Sequence, residues 1–144
     1  MSANLDPIYS KAGALSSDNA TAMGTALTAA AADYTGIGAN NILAFTADAT
    51  NGGFIQRLRV KPLGTNVASV LRIFINNGSV NTTATNNSFY GELSLPATTI
   101  SAVAANIDLD YPMNFALPAG FRIYVGLGTA VAAGWKITPI AGKY

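Results

Sequence analysis

The stretch GGFIQRLRVKPLGTNVASVLRIFINNGS, residues 52–79, decides the class of this fold. It contains two runs, FIQRLRVKPL and SVLRIFIN, in which large apolar and β-branched residues alternate with polar or charged ones. That period of two is the pattern of a half-buried strand, since successive side chains point to opposite faces. In the second run Leu71, Ile73 and Ile75 share a face opposite Arg72. In the first, strict alternation places Gln56, Leu58 and Val60 on one side and Ile55, Arg57, Arg59 and Lys61 on the other. The same stretch holds Arg57, Arg59, Lys61 and Arg72, four of the eight cations of the chain.

Outward from this pair the pattern repeats. NILAFTA, SFYGELSLP, ANIDLDYPM, GFRIYVGLG and GWKITPI are further β-rich runs, bounded by Asn51-Gly52-Gly53, Asn76-Asn77-Gly78 and Leu117-Pro118-Ala119-Gly120. Asn-Gly supplies the positive φ angles of tight hairpin turns, and Pro118 presets a turn. Ile107, Leu109 and Tyr111 form one further apolar row, and Phe121, Ile123, Val125 and Leu127 another. Facing away from them are Asn106, Asp108 and Asp110, then Arg122 and Tyr124. No run alternates with an amphipathic helix, so the expectation is an all-β fold. It is an antiparallel β-sandwich, jelly-roll-like, in a single domain over residues 25–144.

The first forty residues differ. They are rich in Ala, Ser, Thr and Gly, with Leu5, Ile8 and Tyr9 as isolated apolar anchors. An alanine-rich helix over residues 20–32 is interrupted by Gly24 and threonines. The reading is therefore an extended N-terminal arm over residues 1–24, with a short strand within 25–31.

The 144 residues suffice for one core without staples, and the chain has no cysteine to make any. Only 10% of residues are charged, against about 25% in an ordinary globular domain. Mean hydropathy is +0.32. A chain so poor in charge is expected to cover part of its surface with other subunits. Its formal net charge of +1 argues against a nucleic-acid binder. MSANLDPIYSKAG lacks the basic and apolar regions of a signal peptide, which predicts synthesis and retention in the cytoplasm. Residues 113–135, the most apolar region, alternate and contain Pro118, Arg122 and several glycines, so no membrane span is expected.

Chemistry is sparse. Without histidine or cysteine, the commonest general base, nucleophile pairs and transition-metal ligands are missing. Glu92 is the sole glutamate, so a paired-glutamate glycosidase site cannot be built. No phosphate loop or dinucleotide fingerprint occurs. Asp108 and Asp110 share a strand face and resemble a hard-cation pair, but nothing else nearby supplies carboxylates, so an exposed pair neutralised by Arg122 or by the basic strand is the preferred reading. The expectation is a protein that is not an enzyme and uses no cofactor.

The row Arg57, Arg59, Lys61 admits three readings: a solvated face, a nucleic-acid groove, or an interface. A groove needs interleaved aromatics, and only Phe54 and Phe74 are near. On an edge strand, cations also block wrong pairing and steer an acidic partner. That last reading is preferred. Trp135, beside Ile137, reads as core rather than a sugar platform. NGSVNTTATNNS reads as a polar surface tip.

FTADATNGGFIQRLRVKPLGTNVASVLRIFINNG, FYGELSLPATT and DYPMNFALPAGFRIYVGLGTAVAAGWKITPIAGKY together resemble small virion proteins of tailed bacteriophages over residues 45–144. The resemblance implies a decoration (cement) protein on the capsid exterior, binding the major capsid protein as a homotrimer. Leu5, Ile8, Tyr9, Arg57, Arg59, Lys61 and Arg72 are then the expected contact residues. A tail or fibre component that binds host-surface glycan is the alternative.

Overall fold

The computed structural model describes residues 12–15, 25–31 and 33–144 of the chain. Nine strands are named: β1 (Ala12–Ala14), β2 (Thr25–Leu27), β3 (Ile42–Thr46), β4 (Gly53–Pro62), β5 (Ser69–Asn76), β6 (Asn87–Leu95), β7 (Leu109–Leu117), β8 (Arg122–Leu127) and β9 (Trp135–Lys143). They form two sheets in which every strand pairing is antiparallel. Sheet A has the order β1-β9-β4-β7, with β2 also on β9, and sheet B the order β3-β8-β5-β6. Numbered from β2, the eight main strands interleave as first, eighth, third, sixth against second, seventh, fourth, fifth. That is the winding of a jelly roll, two Greek keys wrapped into a double sheet. The expected all-β sandwich is therefore the observed architecture.

The core lies between the sheets. Leu58 and Val60 from β4, Leu71 and Ile73 from β5, Ile123, Val125 and Leu127 from β8, and Ile137 from β9 are each fully enclosed. A large apolar side chain so buried contributes about 1.5–3 kcal/mol relative to exposure. Trp135 is also enclosed, at 0% exposure, as a core residue. Its indole N–H finds no acceptor.

Strict alternation fails in β4, where the register shifts between Ile55 and Arg57 against both neighbours. Gln56 is left exposed and Ile55 turns into the core at 0% exposure. Ile55 thus shares a face with Leu58 and Val60, not with the cations. The bulge resets the phase, so Arg57, Arg59 and Lys61 still face outward. Ile107 is also corrected: it is exposed, whereas Leu109 and Tyr111 pack against the core as expected. Of Asn51-Gly52 only Gly52 adopts the positive φ expected (82°), and the pair joins β3 and β4, which lie in different sheets.

A further correction concerns β4 itself, which is an interior strand flanked by β9 and β7. Its cations cannot be guarding an edge. The true edges are blunted otherwise. β7 carries Pro112, with no N–H to offer, and Asn114 at φ 54°. β6 bulges at Tyr90 and β3 at Ala44. Such irregularities spoil an edge as a template for strand addition.

The other edge of β9 is met by short strands. Ala12–Ala14, within the segment read as a loose arm, pairs with Lys143, Gly142 and Ala141, and Ala14 is fully buried in the core cluster. Thr25–Leu27, within the span where a short strand is expected, pairs with Ile137, Lys136 and Trp135. Between them stands Pro139, and among the described residues no strand pairs with this edge at residues 138–140.

Candidate functional site

The outer face of sheet A carries a ladder of charge. Register places Arg59 of β4 opposite Asp110 of β7 and Arg57 opposite Pro112. With side chains alternating, Asp108 and Asp110 then fall on the same face as the three cations. Arg57 Nε lies 3.4 Å from Asp110 Oδ1, and Arg59 Nη1 lies 3.3 Å from Asp110 Oδ2. Arg59 Nη2 is 3.0 Å from Asp108 Oδ1, and Lys61 Nζ contacts the same oxygen. The order is Arg57–Asp110–Arg59–Asp108–Lys61, each carboxylate bridging two cations. Lys61 also donates to Asn106 O at 3.3 Å.

The basic row and the Asp-x-Asp pair, read separately in the sequence, are thus two sides of one structure. The basic strand, not Arg122, neutralises the aspartates. Asp108 is held below the ordinary carboxyl value of 3.8, chiefly by the hydrogen bond from Lys61, with burial opposing and the charges of Lys61 and Arg59 assisting. Across the other flank, register brings Lys136 of β9 beside Lys61 and Thr138 beside Arg59. Among the described residues Lys136 has no ion-pair partner. Among the described residues, four cations and two carboxylates leave this face at a net +2. The ladder side chains stay 37–55% exposed.

Arg72 stands apart. It projects from β5 on the outer face of sheet B, where its guanidinium joins three pieces of chain. Nε is 3.1 Å from Glu92 Oε1 of β6. Nη1 donates to Ala31 O and Asp33 O, each at 3.4 Å, and Nη2 to Tyr34 Oη at 3.1 Å. The Tyr34 ring lies 4.1 Å from the guanidinium carbon, a cation–π contact. Four of the five guanidinium N–H donors are engaged within the chain. Arg72 therefore acts as a staple that fastens the segment before β3 over sheet B.

Under that staple lies a second apolar cluster. Phe74 faces outward from β5 yet is 0% exposed. Phe89 packs on it at 5.6 Å between ring centroids, and Tyr34 meets Phe89 edge-on at 5.3 Å. Asp33 shapes the covering loop by accepting from the backbone of Thr35, Gly36 and Gly38 and from Asn41 Nδ2. Burial, the largest influence, pushes the Asp33 carboxyl up, but the hydrogen bonds from Thr35, Gly36 and Asn41 outweigh it and hold it below 3.8. Sequence reading passed over this cluster. Its signal was Phe74 itself, an aromatic standing where the alternation of β5 calls for a polar residue.

Leu5, Ile8 and Tyr9, the expected arm anchors, lie outside the described residues. The seven expected contact residues thus divide into a paired row on sheet A, one staple on sheet B, and three undescribed positions. Among the described residues no three His, Cys, Asp or Glu side chains converge as a metal site. No helix there is long and apolar enough to cross a membrane. The open recess of ≈ 310 Å³ beside Arg72 and Gly128 has Ser69 Oγ and the Thr129 backbone bonded to each other on its wall. Compared with known proteins, the chain matches no family model, no curated protein and no solved structure.

Proposed function

We propose that this chain is a non-enzymatic structural protein of a bacteriophage virion. In this reading it is a decoration protein that binds the major capsid protein on the shell exterior and reinforces the shell as a homo-oligomer. The observation that carries the reading is the asymmetry between the two outer faces. Among the described residues a loop lies over sheet B, whereas no segment covers the charged face of sheet A, whose charges there sum to +2. A flat, rigid, weakly cationic sheet face suits attachment to a broad acidic surface. Exposed ion pairs give such a face specificity and steering more than raw affinity. The winding supports the reading as an analogy of fold, since jelly rolls recur in viral capsid and lectin domains. So does the resemblance over residues 45–144.

In this proposal Arg57, Arg59, Lys61 and Lys136 face the shell, and Leu5, Ile8 and Tyr9 fasten a neighbour. Stabilisation needs no chemistry: a protein that binds only the assembled shell shifts assembly by mass action. The test is co-sedimentation with purified shells. Replacing Arg57, Arg59 and Lys61 by Ser is expected to lower occupancy at low salt, with the difference shrinking at high salt. Unchanged occupancy at low salt removes sheet A from the contact. Cryo-electron microscopy of the particle checks the location directly.

One observation favours the alternative, a tail or fibre component that meets glycan. Tyr34 and Phe89 are 57% and 41% exposed as residues, and the Tyr34 ring stacks on the guanidinium of the Arg72–Glu92 pair. Aromatic faces beside fixed polar groups suit a sugar ring. Binding on a glycan array that is lost in Tyr34→Ala would support this second reading.

A further inference from the structure

We infer that the loop tip of the sandwich, at the end where β4 finishes and β9 begins, is a self-association surface that a second copy of this chain covers. The inference rests on the homo-oligomer part of the proposal above and on no viral component.

Three connections meet at this end: residues 63–68 between β4 and β5, 96–108 between β6 and β7, and 128–134 between β8 and β9. They are tied together underneath. Asn66 and Thr98 exchange backbone hydrogen bonds of 3.0 and 2.9 Å. The Asn66 side chain, buried at 4% exposure, donates to Gly134 O at 3.0 Å and accepts from the N–H groups of Ala133 and Gly134 at 3.0 and 2.8 Å. Thr98 Oγ1 donates to Gly64 O at 2.8 Å. Polar groups thus form the inside of this end.

Its outside carries large apolar side chains among small residues such as Thr65, Thr99 and Ser101. Leu63, Val67, Ile100 and Val103 are 51%, 58%, 60% and 96% exposed. Side chains of this kind projecting from a firmly tied base mark a contact surface more than a solvated loop. The opposite end differs: the loop after β5 is rich in Asn and Thr, and Val80 is its exposed large apolar residue.

Charge selects the occupant. No Asp, Glu, Lys or Arg occurs in residues 62–71, 93–107 or 123–135. In a symmetric contact, residues near the axis meet their own copies, so any charge there faces the same charge. A heterologous partner is under no such restriction and commonly uses opposite charge to set its register. The loop tips of this end carry no charge, Lys61, Asp108 and Lys136 standing only at its sheet A rim, and an uncharged tip of this kind fits a second copy of itself. Ala97, Ala102, Ala104 and Ala105 add little bulk, so backbones approach closely around Val103.

The experiment is sedimentation velocity on the purified chain over a concentration series, with no virus present. Wild type is expected to associate. The double variant Ile100→Lys/Val103→Lys is expected to sediment as a monomer, its dissociation constant raised by about tenfold or more, with an unchanged circular dichroism spectrum. Val80→Lys, at the opposite end, is expected to associate like wild type. A monomeric wild type overturns the inference, as does an association that the double lysine variant leaves intact. Should that variant misfold, Val103→Lys alone, at the most exposed side chain, is held to the same criterion. Self-association without shell binding would sink the decoration reading and leave this inference standing.

Discussion

Arg59 on β4 sits directly across from Asp110 on β7 and holds two carboxylates at once, Asp110 at 3.3 Å and Asp108 at 3.0 Å. This pairing turns a cationic row on one strand into a shared ladder between two. The face is therefore less basic than three cations suggest, and its residual charge is divided between the ladder and Lys136 on β9.

Acid should weaken the fold through named groups. Asp33 and Asp108 are both held below 3.8. Each takes up a proton more readily when unfolded, so its contribution is complete above about pH 5 and is lost as pH falls through 3.8 and below. Urea unfolding at pH 7 and pH 3.5 is expected to show a smaller acid loss in Asp33→Asn/Asp108→Asn than in wild type. Equal losses would assign acid sensitivity elsewhere.

Phe74→Ala should open the second apolar cluster. Removing a fully buried Phe costs about 3–5 kcal/mol. Because Phe74 lies beneath the loop over sheet B, backbone amides of residues 33–41 are expected to exchange hydrogen faster, beyond the global loss of stability. Phe89→Ala, at a half-exposed ring, should cost less. Unfolding of both can be followed through Trp135, the single tryptophan and a fully enclosed one.

Gly91 is held by a neighbour across the seam between the sheets. A Cβ there would collide with Tyr111 Oη and lie 3.1 Å from its Cζ. Gly91→Ala is expected to destabilise by about 1–3 kcal/mol. Adding Tyr111→Phe removes the first obstacle and should recover part of that loss. Strict additivity in this double-mutant cycle would show that the two positions do not meet.

Asn66→Ala should be among the most costly polar substitutions in the chain. It removes the acceptor of the Ala133 and Gly134 N–H groups and the donor to Gly134 O. Each buried group left unpaired costs about 1–3 kcal/mol, so a total loss of about 3 kcal/mol or more is expected in denaturant titration. A loss under about 1 kcal/mol would mean that water replaces the side chain easily.

What residue order alone determined was local. Alternation marked the strands, and Asn-Gly and Pro placed breaks between them, because period and turn geometry depend on a few adjacent residues. It also placed Leu58, Val60, Leu71, Ile73 and Trp135 inside, and Arg57, Arg59 and Lys61 outside. What tertiary structure decided was every relation between distant segments. Sheet order made β4 interior, and a bulge at Gln56 returned Ile55 to the core. Asp108 and Asp110 became partners of the basic row only because β7 pairs with β4. Phe74 became buried only because the segment before β3 crosses it. Pairing and covering depend on surfaces that meet after the chain has wound, and no short window of sequence contains both sides of such a contact.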